Sequence, residues 1–359
     1  MSRSTSIAII SVGMIVVGAA LAPATTPAAA ADDLLTQARQ TFGALPDNMA
    51  TAEYPVTPAR VELGRKLFFE PRVSVDGAVS CSRCHLPALY GTDGLAKPLG
   101  AHDKVNPRNA PTVLNAALEF KAHWRGDRVN VEDQAKKALI GPPSFGDPDY
   151  ATAMAKLAAI PGYAELFEKA FPGESNPITA DNWGTAIGAY ERTLVTPSRF
   201  DDFLHGNASA LSDREKNGLR LFMSKGCSGC HSGPGVGGGM FQKFGVHEDY
   251  WKETGVTNPD KGRFDVTKNP ADLYVFKVPT LRNVAMTAPY FHDGSVAKLH
   301  DAVRIMGKVQ LGLTLPDNEI ADITAFLNSL TGKLPDDFAS APILPPAGLH
   351  ASSAPNTGH

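Results

Sequence analysis

The sequence has little net charge, and this excludes one class of partner. Its 34 Lys and Arg residues nearly balance 37 Asp and Glu residues, for a formal charge of -3. A protein that binds nucleic acid or another polyanion usually carries a clear excess of positive charge, so no nucleic-acid partner is expected. Hydrophobic residues make up 43% of the chain and charged residues 20%, as in an ordinary globular protein.

Long apolar runs are also missing. The main one, from Ile7 to Leu21, is interrupted by small and polar residues and is short for a membrane span, which needs about 20 apolar residues. We therefore expect no stable membrane insertion. Small residues then lead up to Ala31, a cleavage pattern typical of secretory signal peptides. Residues 1–31 are predicted to be a cleaved signal peptide and the protein to be periplasmic; an uncleaved anchor is the alternative.

Cysteine is scarce, but its placement is informative. The four cysteines form two C-x-x-C-H motifs, Cys81-Ser-Arg-Cys84-His85 and Cys227-Ser-Gly-Cys230-His231. In such a motif two thiols attach one c-type haem, and the adjacent histidine binds its iron from the proximal side. Two disulfides or one zinc site are the alternatives, but neither needs a histidine after each pair. We predict two covalently bound c-type haems, at a first haem site (Cys81, Cys84, His85) and a second (Cys227, Cys230, His231).

Strand patterns are few, the best being Tyr274 to Lys277, and helical patterns dominate. Helices are predicted over 34–42, 58–69, 111–118, 131–140, 150–157, 163–171, 180–194, before the second motif from Ser212, and from Pro316. A G-x-x-L-F string precedes each haem motif, at Gly64 and Gly218, and indicates an internal repeat. The prediction is an all-α fold of two tandem cytochrome c-like domains, each with one covalently bound c-type haem.

The domain boundaries follow from these patterns. An N-terminal arm is expected at residues 32–56, the first haem domain at 57–200 and the second at 201–335. The tail, residues 336–359, is rich in Pro, Ala and Ser and is expected to be disordered.

The residues opposite the two proximal histidines decide what each haem can do, because a haem with two protein ligands mostly transfers electrons. For the second haem the best candidate is Met306, with Met286 as its rival; a role as core filler is the alternative. For the first haem, His102 is the nearest downstream histidine. A histidine in a polar loop is also often a plain surface residue.

The chain resembles the bacterial di-haem cytochrome c peroxidases over roughly residues 55–334. The resemblance rests on LGRKLFF at 63–69, PRNAPT at 107–112, FKVPTLRN at 276–283, TAPYFHDGS at 287–295 and MGKVQLG at 306–312. It implies a homodimer that reduces hydrogen peroxide with electrons from a small cytochrome c or cupredoxin.

The resemblance also implies roles for single residues. The haem on His85 would be the low-potential peroxide site and the haem on His231 the high-potential entry point for electrons. The corresponding residues are Met306 as distal ligand of the second haem, His102 as removable distal ligand of the first, Trp124 between the haems, Gln134 in the peroxide pocket, and Asn109 with the backbone carbonyls of Thr287 and Pro289 at a calcium site. Oxygen ligands of this kind suit calcium.

The sequence departs from the family at the peroxide pocket, where Ser144 stands in place of a glutamate. Peroxide cleavage moves a proton from one oxygen to the other, and serine is a poor group for that. Glu132, Asp133 and Asp147 are near enough in sequence to be substitutes. The alternatives to a peroxidase are therefore a di-haem electron carrier with weak peroxidase activity, or an oxidase of a protein or organic substrate. Relatives of the latter kind carry a tyrosine at the position of Met306.

Overall fold

The structure, a computed structural model, describes Met1 and residues 27–346, with side chains from Asp33 onward. The predicted signal peptide lies almost wholly outside the described residues. Within 27–346, each helix is too short or too polar to cross a membrane.

Helices dominate the described chain, as predicted. They are α1 (Pro27–Phe42), α2 (Pro58–Phe68), α3 (Cys81–Cys84), α4 (Val131–Ala138), α5 (Tyr150–Ala158), α6 (Tyr163–Ala170), α7 (Ala180–Glu191), α8 (Arg199–Leu204), α9 (Asp213–Ser224), α10 (Tyr250–Thr254), α11 (Phe264–Thr267), α12 (Leu299–Leu311), α13 (Asp317–Ser329) and α14 (Asp336–Ala339). Strands β1 (Phe241–Lys243) and β2 (Val275–Lys277) pair antiparallel, with Gln242 opposite Phe276. Short 3-10 turns connect many of these elements.

Local capping signals place the two helices that precede the haem motifs. The Thr57 side chain accepts a hydrogen bond from the Arg60 backbone N–H, and Pro58 takes the first helical position of α2, where a missing N–H costs nothing. Ser212 and Glu215 form the predicted capping box of α9. The structure thus has both helices where the sequence predicts them.

The predicted helix over 111–118 is wrong. Only Ala116–Leu118 forms a single 3-10 turn. Asn115 lies in the left-handed region, with φ of 59°, which an α-helix cannot contain. Upstream, the Thr112 hydroxyl donates to the Tyr90 carbonyl and accepts from the Leu114 backbone N–H, so side-chain bonds replace the helical ones.

The G-x-x-L-F repeat marks two equivalent helix crossings. At Gly64, α2 meets α7 so closely that a Cβ would lie 1.8 Å from the Ala186 carbonyl oxygen. At Gly218, α9 meets α13, and a Cβ would lie 1.9 Å from the Asp322 carbonyl oxygen. Glycine is required at both positions because no side chain fits between backbones this close.

The N-terminal arm and the segment after residue 335 pack into two different hydrophobic clusters. Phe42 of the arm is buried among Phe200, Phe222 and Phe326. Phe338, from the segment expected to be disordered, is fully buried in the cluster that contains Phe68. The expectation of disorder is therefore wrong for 336–346, because the Pro, Ala and Ser content of the segment does not show that the Phe338 side chain is buried. Residues 347–359 lie outside the described part.

Candidate active site

The first haem site is held by α3. Its histidine is oriented by a hydrogen bond of 2.9 Å between His85 Nδ1 and the Gly91 carbonyl, which leaves Nε2 free to bind iron. Burial lowers the pKa of His85, so the ring is neutral, as an iron ligand must be. Burial also raises the pKa of the Cys84 thiol to about 11.

The second haem site repeats this arrangement with a 3-10 turn, Cys227–Gly229. Burial lowers the pKa of His231 to about 4, so this ring is also neutral. Its Nδ1 faces the carbonyls of Val236 and Pro279 without a hydrogen bond of ordinary geometry to either. A Cβ on Gly237 would lie 2.1 Å from the Pro279 oxygen and 3.1 Å from that nitrogen, so only glycine permits this approach.

One cavity of about 230 Å³ joins many of the predicted site residues. Its walls are mostly apolar and include Leu281, Leu299 and Leu327. The predicted residues on it are Cys227, Cys230, His231, Met306, Trp124, Asn109, Thr287 and Pro289. An apolar cavity that contains two thiols, a neutral imidazole and a thioether fits a c-type haem with His and Met ligands.

Met306 projects into this cavity from α12. Its rival Met286 lies outside the cavity and is 45% exposed. Met223 and Met240 are not on the cavity wall either. Of these four methionines, only Met306 therefore shares the cavity wall with His231.

Trp124 is fixed at both its ring and its backbone. The indole Nε1 donates to the Asn109 carbonyl at 2.9 Å, and the Trp124 carbonyl accepts from the Lys277 backbone N–H at 2.8 Å. His292, which is 2% exposed, stacks on Phe276 and meets Trp124 edge-on. His292 lies within the string TAPYFHDGS at 287–295, but the sequence does not show which residues pack against it.

The predicted calcium ligands lie on the same cavity wall. The Asn109 amide nitrogen donates to the Leu95 carbonyl at 2.8 Å, which directs Oδ1 the other way, as a cation ligand requires. The described residues contain no cluster of three or more His, Cys, Asp or Glu side chains suited to a metal. A cation here would depend on neutral oxygens from Asn109, Thr287 and Pro289, a set that fits calcium better than a transition metal.

His102 lies outside the cavity, on a polar turn, and its side chain is exposed. The residue is in the left-handed region, with φ of 51°. Its backbone N–H donates to Asp76 Oδ2 at 2.7 Å, and this bond is the main reason why the pKa of Asp76 falls to about 2. Asp76 thus holds the turn that carries His102.

Ser144 belongs to a turn that supports the His102 loop. Its carbonyl accepts from the Ala101 backbone N–H at 2.9 Å, and a Cβ on Gly100 would lie 2.1 Å from the Pro143 oxygen. Gln134 lies on α4, just before this turn. Within the described chain, neither the Ser144 hydroxyl nor the Gln134 amide has a hydrogen-bond partner.

The three candidate substitutes for the missing glutamate are all engaged elsewhere. Glu132 forms a buried bidentate pair with Arg192, at 2.7 and 3.1 Å. Asp133 pairs with Lys137 at 2.8 Å, and the buried Asp147 pairs with Lys156 at 2.5 Å. Each of the three carboxylates is therefore paired with a cation: Lys137 follows Asp133 by one helical turn, whereas Lys156 and Arg192 come from other parts of the chain.

Glu191 is an acidic residue that sequence reasoning missed. It ends α7 and is 4% exposed. Burial raises the pKa of the Cys81 thiol, and the nearby charge of Glu191 raises it further. Burial raises the pKa of Glu191 to about 8, with a further contribution from the charge of Glu132. It is therefore a carboxyl group near the first haem site that can hold a proton at neutral pH.

A second repeat was also missed. The string P-T-x-x-N-x-A occurs at 111–117 and 279–285. Asn115 and Asn283 are both left-handed, with φ of 59° and 63°, and a 3-10 turn follows each. The repeat is visible in the sequence when the two strings are compared. Taken alone, the string at 111–117 looks like part of a helix.

Comparison with known proteins supports one family. The sequence profile of the di-haem cytochrome c peroxidases matches residues 58–209. The chain is 44% identical to the cytochrome c551 peroxidase of Nitrosomonas europaea over 81% of this chain and 86% of that protein. It is 41% identical to the cytochrome c551 peroxidase of Pseudomonas aeruginosa, over 91% and 94%. A MauG-like protein associated with microbial copper homeostasis superposes with a TM-score of 0.71 at 30% identity, over 83% and 95%.

Proposed function

The chain belongs to the di-haem cytochrome c peroxidase family, and on that basis we propose that it reduces hydrogen peroxide to water in the periplasm. It is a peroxidase-type oxidoreductase, as its relatives are. The electron donor in this proposal is a small cytochrome c or a cupredoxin, and the enzyme acts as a homodimer. The observation that carries the proposal is the cavity that unites His231, Met306 and Trp124.

The fold in this proposal is two tandem cytochrome c-like domains with one c-type haem each. The equivalent crossings at Gly64 and Gly218, each followed by a C-x-x-C-H motif, support it. Thioether bonds to Cys81 and Cys84, and to Cys227 and Cys230, would attach the two haems. The haems supply redox-active iron when attached.

The ligand pairs give the two sites different tasks. His231 and Met306 would bind one iron from both sides, which is typical of an electron-transfer site. His85 and His102 would do the same at the first site, but His102 is carried by an exposed turn. When that turn moves away, Gln134 would donate a hydrogen bond to peroxide at the open position.

Calcium and Trp124 would stabilise the region between the sites. Because the Asn109 carbonyl accepts from the Trp124 indole and the Asn109 Oδ1 would be a calcium ligand, one residue would connect the two. Removing calcium with a chelator should therefore lower peroxide turnover of the wild type. The Asn109→Leu variant should have lower peroxide turnover from the start and should lose no more when the chelator is added. If the chelator lowers turnover equally in the wild type and in Asn109→Leu, Asn109 is not a calcium ligand.

A second function, a di-haem electron carrier with weak peroxidase activity, is favoured by one observation. Ser144 replaces the family's glutamate, and Glu132, Asp133 and Asp147 are each held in an ion pair. An oxidase of a protein or organic substrate is less well supported, because Met306 occupies the position where such relatives have a tyrosine.

Steady-state turnover of hydrogen peroxide with a reduced small cytochrome c or cupredoxin separates these functions. Peroxide-dependent oxidation of the donor is the expected result. The alternative result is a protein with both haems attached that exchanges electrons with the donor but oxidises it no faster when peroxide is added. Such a protein is an electron carrier. A Cys81→Ser, Cys84→Ser variant, which lacks attachment of the first haem, is the control for peroxide chemistry at the second site.

A further inference from the structure

Three fully buried polar side chains meet where the two P-T-x-x-N segments approach each other. Asn115, Thr196 and Asn283 are each 0% exposed. The side-chain amide of Asn115 donates to the Thr196 hydroxyl oxygen at 2.7 Å, and that of Asn283 donates to the same oxygen at 2.9 Å. A single hydroxyl therefore joins both segments, and we call these three residues the junction.

The remaining polar atoms of the two asparagines are also used. Asn115 Oδ1 accepts from the Thr196 backbone N–H at 3.0 Å, and Asn283 Oδ1 accepts from the Gly332 backbone N–H at 2.9 Å. Their backbone N–H groups donate to the carbonyls of Leu194 and Leu330. Because buried amides without partners are costly, neither asparagine can move freely while its neighbours stay in place.

Each asparagine ends a short segment that packs beside the support of a proximal histidine. In the first segment, the Thr112 hydroxyl donates to the Tyr90 carbonyl, directly before Gly91, whose carbonyl is hydrogen-bonded to His85 Nδ1. In the second segment, a Cβ on Gly237 would lie 2.1 Å from the Pro279 oxygen and 3.1 Å from His231 Nδ1, so Pro279 and the His231 ring both adjoin this glycine. Only three residues separate each proline from its asparagine. The proline ring fixes its own φ, and the threonine that follows is held by side-chain hydrogen bonds in both segments.

We propose that the junction couples the two haem sites, with Thr196 as a positioning residue for both proximal histidines. A displacement of one segment is transmitted to the other through the shared hydroxyl, because the buried amides on both sides keep their bonds only if they move together. This inference rests on the proposed attachment of two haems and is independent of whether peroxide is the substrate.

The test uses the oxidised protein with both haems attached. The haem-methyl resonances in its proton NMR spectrum depend on the orientation of the axial ligands at each iron. Asn115→Gly and Asn283→Gly each remove one arm of the junction, and glycine is compatible with the left-handed backbone at both positions. We expect each variant to shift the resonances of both haems, since coupling between two sites is reciprocal.

Variants at the shared hydroxyl complete the test. Thr196→Val keeps the shape and removes the acceptor, so it should shift both sets of resonances, and Thr196→Ser should restore them. Thr193→Val is the matched control, since the Thr193 hydroxyl only donates to the Tyr190 carbonyl within its own helix end. It should leave both sets unchanged.

The proposal would be overturned if each glycine variant affected only one haem. In that case Asn115→Gly would shift the haem-methyl resonances of the first haem alone, and Asn283→Gly those of the second haem alone. Thr196→Ser spectra like those of Thr196→Val would also overturn it, because the hydroxyl would then not matter. If Thr196→Val fails to fold, the two glycine variants still decide. A haem count below two per chain would instead contradict the proposed haem attachment.

Discussion

Replacing Ser144 by glutamate should raise peroxide turnover at least about tenfold. A positioned acid–base group contributes on the order of a hundred- to ten-thousand-fold in rate, which is about 3 to 5 kcal/mol in activation free energy. Tenfold is a cautious fraction of that effect, because the new carboxylate has no partner chosen to orient it.

The surroundings of Ser144 favour a clean experiment. Its hydroxyl has no hydrogen-bond partner in the described chain, while its backbone bonds to Gly141 and Ala101 are kept by any residue. The substitution breaks no ion pair, so we expect stability to change by no more than about 0.5 kcal/mol. Both haems and their potentials should be unaffected.

The assay is steady-state peroxide turnover with a reduced cytochrome donor. Ser144→Gln is the control, since it has the size of glutamate but cannot accept and return a proton. Equal gains in both variants would refute the acid–base reasoning. Two results together would assign proton transfer to Glu191 instead. The wild type would turn over peroxide as fast as Ser144→Glu, and Glu191→Gln would lose that turnover.

Three further predictions concern ligation, the His102 turn and stability. Met306→His should lower the potential of the second haem with both haems still attached; an unchanged high-potential couple in a redox titration would remove Met306 as a ligand. Asp76→Ala should release the turn that carries His102, so the oxidised protein should show more high-spin haem in its absorption spectrum, whereas an unchanged spectrum would show that this hydrogen bond does not hold the turn. Glu132→Gln leaves Arg192 buried without its counter-charge and should cost about 3 to 5 kcal/mol in urea unfolding. A cost within error of zero would contradict the pairing.

Local signals made parts of the fold predictable. Helix α2 begins where the cap at Thr57 and the proline after it require, and these residues act on backbone atoms only a few positions away. The haem motifs are equally local, because two thiols and a histidine within five positions carry the attachment chemistry. Met306 is the best ligand candidate from the residues alone, and the family resemblance adds its role as distal ligand of the second haem.

Two features that the sequence did not reveal share one physical cause, which is pairing between residues far apart in the chain. Glu132 is near enough in sequence to substitute for the missing glutamate, but Arg192, 60 positions later, holds both of its oxygens. Phe338 was assigned to a disordered tail because its neighbours are Pro, Ala and Ser, yet one buried aromatic ring anchors the segment against Phe68. Composition averages over a window and does not detect such single contacts.

The two C-x-x-C-H motifs are nearly identical, so a difference in function between the sites must come from what faces them. Met306 is part of a regular helix and lies on the wall of an apolar cavity, so its position is determined by the packing of α12. His102 is on an exposed turn with a left-handed backbone, held by the Asp76 carboxylate and by the turn that contains Ser144. Fewer contacts have to break to move it, and such segments open most easily in a native protein. The protein therefore has a fixed ligand candidate at one site and a movable one at the other, which is the asymmetry a peroxidase with one electron-transfer site and one substrate site requires.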